Sequence, residues 1–340
     1  MKKTTLKEIA KTLNLSIATV SKSLKDYPDV SQKTKKKVLA YAEKVGFTPN
    51  IFAQSLKGKA TKTIGVIIPN MVHYFFSSVL DAILKEAEKR NYLVITLQTN
   101  ENLQLETKQV ELLLNKSVDG IIMSLCNLSD SNLSHLKKII DYNTPLVLFD
   151  KITKFIDCSK VVIDDIKASY DAVSYLIKSG YKRIAYFRGD LNPQNSIDRF
   201  TGYKKALREH NVEFDPNLIF LTPNADFENG YQNAKLLFEN TQVKVDAIYA
   251  ITDLSAIGAI TYLNEKQIKI PDEVAVFGFS NWFMSSVITP KLSTLDQNAS
   301  KMGTATAKIL FEEIEAKFNK KSIKHKKVII DTEMIIREST

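Results

Sequence analysis

The sequence predicts an N-terminal all-α helix-turn-helix headpiece followed by an α/β core of two parallel-sheet lobes. Three observations support this: a length of 340 residues, a positive charge confined to the first 62 residues, and an alternation of β-branched runs with amphipathic stretches from residue 61 onward. Single cores rarely grow beyond about 250–300 residues, so several units are expected. With 44% hydrophobic and 25% charged residues, the composition excludes collagenous, low-complexity and membrane classes.

The charge asymmetry predicts a polyanionic partner. Residues 1–62 contain fourteen lysines and four acidic residues, a net charge of +10, whereas the rest of the chain has a net charge of −1. A compact basic module on a neutral body usually binds a polyanion. The alternative, a lysine-rich tail that only aids solubility, requires a disordered segment.

Residues 5–46 carry the signals of three short helices instead. Thr5, Ser16 and Ser31 are predicted N-caps, and Thr5 with Glu8 forms a capping box. Asn14 tolerates the left-handed backbone of a tight turn, and a glycine at position 46 ends the third helix. The side chains expected inside are Leu6, Ile9, Ala10, Leu13, Val20, Leu24, Val38, Leu39, Ala42 and Val45.

Two short helices joined by a tight turn form a helix-turn-helix, whose second helix enters the major groove. Lys22 can donate to guanine O6 and N7, and Ile17 and Ala18 can contact thymine methyl groups. Four lysines of the third helix are expected along phosphates: Lys33, Lys35, Lys36 and Lys37. The alternative is a three-helix domain with a solvated lysine face, which the charge asymmetry disfavours.

The segments TLKEIAKTLNLSIATVSKSL and DVSQKTKKKVLAYAEKVGFTPNIFAQSLKGKATKTIGV resemble the LacI/GalR (lactose-repressor-like) family of bacterial transcription regulators. The motifs A-T-V-S, V-S-x-x-T and P-N-x-x-A-x-x-L arrive in the family's order and spacing. The resemblance implies DNA contacts from Thr5, Ser16, Ile17, Ala18, Thr19, Ser21, Lys22, Ser31, Thr34, Asn50, Ala53 and Leu56.

Residues 51–58 resemble the family's hinge helix, which orders on operator binding and lies in the minor groove. Leu56 matches a leucine that wedges between the central base pairs. Lys22 stands where the family usually has arginine, and Asn14 replaces its turn glycine. The operator sequence therefore does not transfer from any relative.

From residue 61, predicted strands alternate with predicted helices, which favours parallel sheets. The strand-like runs are Ile64–Ile68, Leu93–Leu97, Gly120–Met123, Leu146–Phe149, Val161–Ile163, Ile184–Phe187, Leu218–Leu221, Ala247–Ala250 and Val274–Phe277. Helical stretches include residues 75–90, 105–115, 167–179, 198–210, 226–239 and 253–266. The basic segment Lys317–Lys327 is interpreted as a solvated crossover between lobes, with a second nucleic-acid patch as the alternative.

The resemblance covers this region too and implies a periplasmic-binding-protein-like core, in which two lobes close over a small effector and the chain crosses three times. The expected organisation is a DNA-binding domain over residues 1–46, a hinge over 47–60 and an effector-binding and dimerisation core over 61–340. Crossovers are expected near residues 160, 291 and 323. Lobe 1 is then about 61–160 and 292–322, and lobe 2 about 161–291 and 323–340.

The resemblance also implies the effector contacts Tyr74, Phe75, Ser124, Asp150, Arg199, Phe227, Asp253, Ser280 and Gln297. Arginine offers five donors in a rigid fork, which suits vicinal hydroxyls or a carboxylate. The family usually has G-F-D-D where this chain has Gly278-Phe279-Ser280-Asn281, so a carboxylate that accepts bonds from the effector is lost. A repressor without an effector is therefore an open alternative.

No catalytic constellation is found in the sequence. The four histidines are scattered, and phosphate-loop and nucleophile-elbow motifs are absent. Cys126 and Cys158 lack a CxxC partner and are expected to be buried small residues, which fits a reducing compartment. No signal peptide or membrane span is predicted.

The sequence therefore predicts a transcriptional regulator, most simply a repressor, and not an enzyme. It is expected to be a cytoplasmic, nucleoid-associated bacterial homodimer on a near-palindromic operator. A carbohydrate or its phosphate is the expected effector, with no cofactor or metal. The alternatives are a solute-binding protein of transport and an α/β enzyme acting on a small carbohydrate.

Overall fold

In the computed structural model, which describes residues 4–47, 60–127, 132–222, 224–239 and 244–340, the chain divides into two units. They are Met1–Thr61 and Lys62–Thr340. The predicted hinge helix over 51–58, with Asn50, Ala53 and Leu56, lies outside the described residues.

Residues 4–47, the main described part of the first unit, form three helices: α1 (Leu6–Leu13), α2 (Ile17–Leu24) and α3 (Gln32–Lys44). The Thr5 hydroxyl accepts a hydrogen bond from the Glu8 amide at 3.2 Å, and the Glu8 carboxylate accepts one from the Thr5 amide at 2.7 Å. Asn14 adopts the predicted left-handed backbone, with φ 52° and ψ 49°. The helix-turn-helix prediction is confirmed.

Two predictions for α3 are wrong. Leu39 was expected inside but is 49% exposed, and Lys35 was expected along phosphates but is only 5% exposed. The buried stripe of α3 contains Lys35, Val38 and Ala42, which follow the helical period, and Leu39 lies about 100° away from Val38. The Lys35 ammonium is stabilised inside because it donates to the Asp26 carboxylate at 2.6 Å and to the Asp26 carbonyl at 3.3 Å.

The described residues of the second unit form two six-stranded sheets, ordered β11-β5-β4-β3-β1-β2 and β12-β10-β9-β8-β6-β7. All pairs are parallel except β10 with β12. The strands are β1 (Thr63–Ile68), β2 (Leu93–Gln98), β3 (Gly120–Met123), β4 (Leu146–Phe149), β5 (Ser159–Ile163), β6 (Ile184–Arg188), β7 (Ile219–Leu221), β8 (Ala247–Ala250), β9 (Ala275–Phe279), β10 (Ser293–Asp296), β11 (Lys327–Ile330) and β12 (Glu333–Ile335).

Helices cover the faces of both sheets, so the central strands are buried on both sides and are continuously apolar. The helices are α4 (Tyr74–Glu88), α5 (Leu103–Asn115), α6 (Ser134–Asp141), α7 (Asp165–Lys178), α8 (Gln194–Glu209), α9 (Phe227–Glu239), α10 (Asp253–Glu265) and α11 (Ala299–Phe318). Helix α9 packs closely on α10 because Gly230 has no Cβ, which would lie 2.0 Å from the Ser255 carbonyl oxygen.

The chain changes sheets three times, as expected, but each time later than predicted. β5 still pairs with β4, β10 with β9 and β11 with β5. The changes therefore follow β5, β10 and β11 instead of falling near residues 160, 291 and 323. The predicted boundary near residue 160 falls inside β5, and those near 291 and 323 fall just before β10 and β11. Each of these strands still belongs to the sheet that the chain was predicted to leave.

The basic segment Lys317–Lys327 is not a crossover. It contains the end of α11, a loop and the first residue of β11, and both of these elements pack in the first lobe. Five elements of the structure were not predicted from the sequence: β10, β11, β12, α6 and α11.

Cys126 and Cys158 are buried, as predicted. Burial raises the pKa of the Cys158 thiol to about 11. None of the helices in the described ranges is both long enough and apolar enough to cross a bilayer.

Candidate functional site

The outward face of α2 is accessible in the first unit. Ile17 is 49% exposed, Ala18 and Lys22 are exposed and Ser21 is half-buried. The remaining DNA-contact residues predicted in the described part of this unit cap helices or support a cap: Thr5, Ser16, Thr19, Ser31 and Thr34.

Lys22 forms an ion pair with Asp29, a residue that was not among the predicted DNA contacts. About half of each side chain is exposed, with 46% for Lys22 and 52% for Asp29. The hydrogen bond from Lys22 lowers the pKa of the Asp29 carboxyl, so the group is ionised at neutral pH.

The second unit contains a cavity of about 400 Å³ between its two lobes. Residues after the carboxyl ends of strands from both sheets line it, which is where ligands bind in open parallel sheets. The polar and charged lining consists of Asn70, His73, Asn100, Glu101, Asn127, Asp150, Lys151, Asp190, Asn195, Ser196, Arg199, Asn224, Asp226, Thr252, Ser280 and Gln297.

Arg199 is buried on one side of this cavity, and each of its three guanidinium nitrogens donates a hydrogen bond to the protein. Nε donates to the Asp165 carboxylate at 2.8 Å, Nη1 to the Ile251 carbonyl at 3.2 Å and Nη2 to the Gln297 side chain at 3.2 Å. The group also lies 3.7 Å from the centre of the Phe279 ring. Burial lowers the pKa of Arg199, but the neighbouring carboxylates raise it by more, so it stays charged.

Lys151, on the opposite side of the cavity, is also hydrogen-bonded to protein groups. Its ammonium donates to the Glu101 carboxylate and, at 2.6 Å, to the Asn127 side chain. Among the described residues, Lys151 and Arg199 are the two cations that line the cavity, and each is neutralised by a carboxylate.

Asp150 is less well satisfied. Its carboxylate accepts from Asn195 Nδ2 at 3.3 Å and from Ser124 Oγ at 3.5 Å, both long for bonds to a charged acceptor. Burial raises the pKa of Asp150, because the charged form loses hydration. A ligand that donates hydrogen bonds to this carboxylate would restore the missing solvation.

Two further polar atoms at the cavity have no hydrogen-bond partner in the described part of the chain: Ser196 Oγ and His73 Nδ1. Ser196 is 5% exposed. Burial lowers the pKa of His73 to about 4, helped by the charges of Lys151 and Arg199, so its ring is neutral at pH 7. Buried polar atoms normally have hydrogen-bond partners, so these two unpaired atoms indicate that a polar ligand binds here.

A smaller cavity of about 50 Å³ adjoins the large one and shares His73, Phe75 and Ser280 with it. Its other lining residues are Val72, Tyr74, Asp253, Leu254 and Trp282. The Tyr74 ring lies 6.0 Å from the Phe283 ring, so aromatic groups of the two lobes meet beside this cavity.

The nine predicted effector residues separate into three groups. Five line the large cavity, namely Phe75, Asp150, Arg199, Ser280 and Gln297, and two line the small one, namely Tyr74 and Asp253. Ser124 is fully buried behind Asp150, and Phe227, 37% exposed at the start of α9, lines neither of these two cavities.

The Asp253 carboxylate accepts hydrogen bonds from other groups of the protein. It accepts from the Trp282 amide at 2.6 Å, from Ser285 Oγ at 2.7 Å and from Thr294 Oγ1 at 2.5 Å. This favours a structural role over the predicted ligand contact. Asn281, which stands where the family has a carboxylate, accepts from Arg337 at 2.7 Å and donates to Asp296 at 3.0 Å.

Several lining residues were missed by the sequence analysis, although a signal for them exists. Each of them lies two positions after the last residue of a strand: Asn70, Asn100, Lys151, Asp190 and Thr252. Because carboxyl ends of parallel strands meet at one edge, every polar residue at these positions was a candidate.

The chain matches two family profiles. Residues 61–338 match "Periplasmic binding proteins and sugar binding domain of LacI family", and residues 5–50 match "Bacterial regulatory proteins, lacI family".

Two HTH-type transcriptional regulators are similar to this chain over 99% of its length. The HTH-type transcriptional regulator RegA of Clostridium saccharobutylicum is 32% identical over 338 residues, covering 99% of both chains. The HTH-type transcriptional regulator DegA of Bacillus subtilis is 30% identical over 339 residues, covering 99% of this chain and 98% of DegA. The structure of the Lac repressor dimer bound to operator and the anti-inducer ONPF has a TM-score of 0.85 at 20% identity, covering 99% of both chains, and shows the shared fold.

Proposed function

Because this chain belongs to the LacI family of bacterial regulatory proteins, we propose that it represses transcription by binding an operator through α2 and that an uncharged sugar in the interlobe cavity controls this binding. The chain is a DNA-binding transcription regulator. The main support for this proposal is that one chain contains both a basic helix-turn-helix unit and a polar cavity between two lobes.

Base recognition is assigned to Ile17, Ala18 and Lys22, because α2 leaves these side chains accessible. Their chemistry fits thymine methyl groups and a guanine edge. The basic surface of α3 supplies phosphate contacts through Lys33, Lys36 and Lys37, which are exposed. The hinge segment over 51–58, with Asn50, Ala53 and Leu56, is proposed to contact the minor groove.

Lys22→Ala is expected to relax selectivity at one base pair of the half-site, at a cost of about 1–3 kcal/mol. Operator affinity of the parent protein should fall by about 10³-fold or more between 50 and 200 mM salt, since lysine contacts to phosphates release counterions. Binding to a library of single-base operator variants, measured by fluorescence anisotropy, tests both. Lys11→Ala, an exposed lysine of α1, is the control. An unchanged base preference in Lys22→Ala would contradict the assignment.

The effector is proposed to be an uncharged, hydroxyl-rich sugar rather than a sugar phosphate. Both lining cations are already paired, and the lining carboxylates Glu101, Asp150, Asp190 and Asp226 outnumber them. Among the described lining residues a phosphate would therefore meet no unpaired cation, whereas sugar hydroxyls can donate to Asp150 and His73.

A neutral sugar is expected to raise the melting temperature of the full-length protein, while its phosphate leaves it unchanged. A ligand at 100 times its Kd stabilises the native state by about 2.7 kcal/mol. Trp282, the sole tryptophan of the chain, lines the small cavity that adjoins the proposed sugar site, so its fluorescence provides a second readout of binding. The screen pairs each hexose, pentose and disaccharide with its phosphate. Tighter binding of a phosphate would contradict the proposed ligand class.

The remaining assignments follow from this role. A near-palindromic operator requires two heads, so we assign a homodimer, as in the Lac repressor dimer on its operator. Operator binding places the protein with the chromosome, in the cytoplasm and associated with the nucleoid. The buried arrangement of Arg199 and Asp150 serves binding, and we assign no catalytic step.

A further inference from the structure

We propose that Asp29 sets the base selectivity of this regulator by holding the Lys22 ammonium in place, and that it does so at the expense of total DNA affinity. The proposal rests on the base-reading role assigned to Lys22 and adds a second, acidic residue to the reading surface. Asp29 would act through Lys22, as a positioning residue, without itself contacting a base.

The first support is the fixed geometry of the segment that carries Asp29. Asp26, at the start of this turn, adopts a left-handed backbone with φ 53°. The buried Lys35 ammonium binds both its carboxylate and its carbonyl oxygen. A buried cation of α3 thus ties the turn to the helical core, so Asp29 presents its carboxylate to Lys22 from an anchored position.

The second support is the chemistry of lysine. An ammonium on a flexible four-carbon stem is a point charge that can reach a base edge or a nearby phosphate, and it lacks the planar fork that fixes an arginine on guanine. Lys22 has three donors, and the ion pair with Asp29 uses one of them. The other two can meet guanine O6 and N7 while the tip stays in one place.

The third support is the charge of Asp29 itself. A carboxylate in a reading surface is repelled by DNA phosphates, so it weakens binding to every duplex. The same repulsion disfavours the alternative in which Lys22 leaves the base edge for a phosphate. Selectivity gained by penalising a competing arrangement is a general route to specificity.

The test uses the full-length protein and compares Asp29→Asn, Lys22→Ala and the double variant with the parent. Glu43→Gln is the matched control, because it removes one negative charge from an exposed site on α3. Anisotropy titrations against a random duplex and against operators varied at each base pair give total affinity and selectivity separately. Thermal denaturation verifies that each variant folds.

We expect Asp29→Asn to bind random duplex more tightly than the parent while its preference at one base pair falls by about fivefold or more. The affected base pair should be the one that Lys22→Ala affects, and Asp29→Asn should add no further loss of preference in the Lys22→Ala background. Glu43→Gln should retain the full preference.

Four outcomes would overturn the proposal, and the last of them would also overturn the role of Lys22 on which it rests. A fall in both affinity and selectivity with a lower melting temperature would show that Asp29 only stabilises the turn. If Asp29→Asn and Glu43→Gln gain the same affinity for all duplexes and neither loses base preference, Asp29 affects binding only through its negative charge. If Asp29→Asn lowers base preference further in the Lys22→Ala background, Asp29 acts independently of Lys22. If Lys22→Ala itself leaves base preference unchanged, the proposed role of Lys22 fails as well.

Discussion

Replacing Arg199 with alanine is expected to lower the free energy of unfolding of the second unit by about 3–5 kcal/mol, because it leaves a buried carboxylate without its partner. Asp165 is 7% exposed and pairs with Arg199 at 2.8 Å. The substitution also removes the donors to Ile251 and Gln297. Effector binding should be lost with this arrangement, since Gln297 and Ser280 line the cavity and are bonded to each other at 2.8 Å.

Urea denaturation of the full-length protein measures this loss, with Arg183→Ala as the control. Arg183 pairs with Asp215 at 3.3 Å but is 49% exposed, and surface pairs contribute about 0–1 kcal/mol. The double variant Arg199→Met with Asp165→Leu should regain most of the stability, because it removes both buried charges. A loss no larger for Arg199→Ala than for Arg183→Ala would contradict the buried arrangement.

Asp150→Ala and Asp253→Ala are expected to separate ligand binding from stability. Asp150 makes two long contacts and faces the cavity, so its loss should weaken sugar binding by about tenfold or more and change stability little. Asp253 accepts three short bonds, so its loss should destabilise the protein by about 3 kcal/mol or more. Any Asp253→Ala protein that folds should still bind the sugar.

Urea denaturation and sugar titrations monitored by Trp282 fluorescence separate the two effects. Thermal shift provides the second readout of binding in Asp253→Ala, because Trp282 contacts Asp253. Full sugar affinity in Asp150→Ala would remove this carboxylate from the site. If Asp253→Ala keeps its stability but loses sugar binding, Asp253 is a ligand contact, as the family resemblance implied.

Local signals made the first unit predictable. Thr5, Ser16 and Ser31 cap their helices through residues three positions away, so the information lies within one turn of chain. Leu39 and Lys35 were misplaced because the partner that stabilises a buried lysine, Asp26, lies nine residues away. A hydrophobic pattern alone assigns lysine to the surface.

In the second unit, too, features set by local sequence were predicted and features set by distant contacts were not. Strands such as Gly120–Met123 and Ala247–Ala250 have the predicted bounds, because buried parallel strands form short apolar runs bounded by polar residues. The change of sheet after β5, β10 and β11 depends on which distant strand each one pairs with, and no local signal encodes this.

The candidate site follows the same rule. Asp150 and Asp253 both follow strands and have the same chemistry, so the sequence treated them alike. The difference arises because Ser285 and Thr294, more than thirty residues from Asp253, occupy its carboxylate. Lys151 and Arg199 would suggest an anion site until their partners Glu101 and Asp165 are located.

The most direct test of the account is an operator titration of the full-length protein with and without the sugar that the thermal-shift screen identifies. An operator selected from random duplex should bind about 10³-fold or more tightly than competitor DNA. The sugar should shift that affinity by about 5–150-fold, the usual range of coupling between two sites. Equal affinity for operator and random duplex, or an operator affinity that the bound sugar leaves unchanged, would contradict the account.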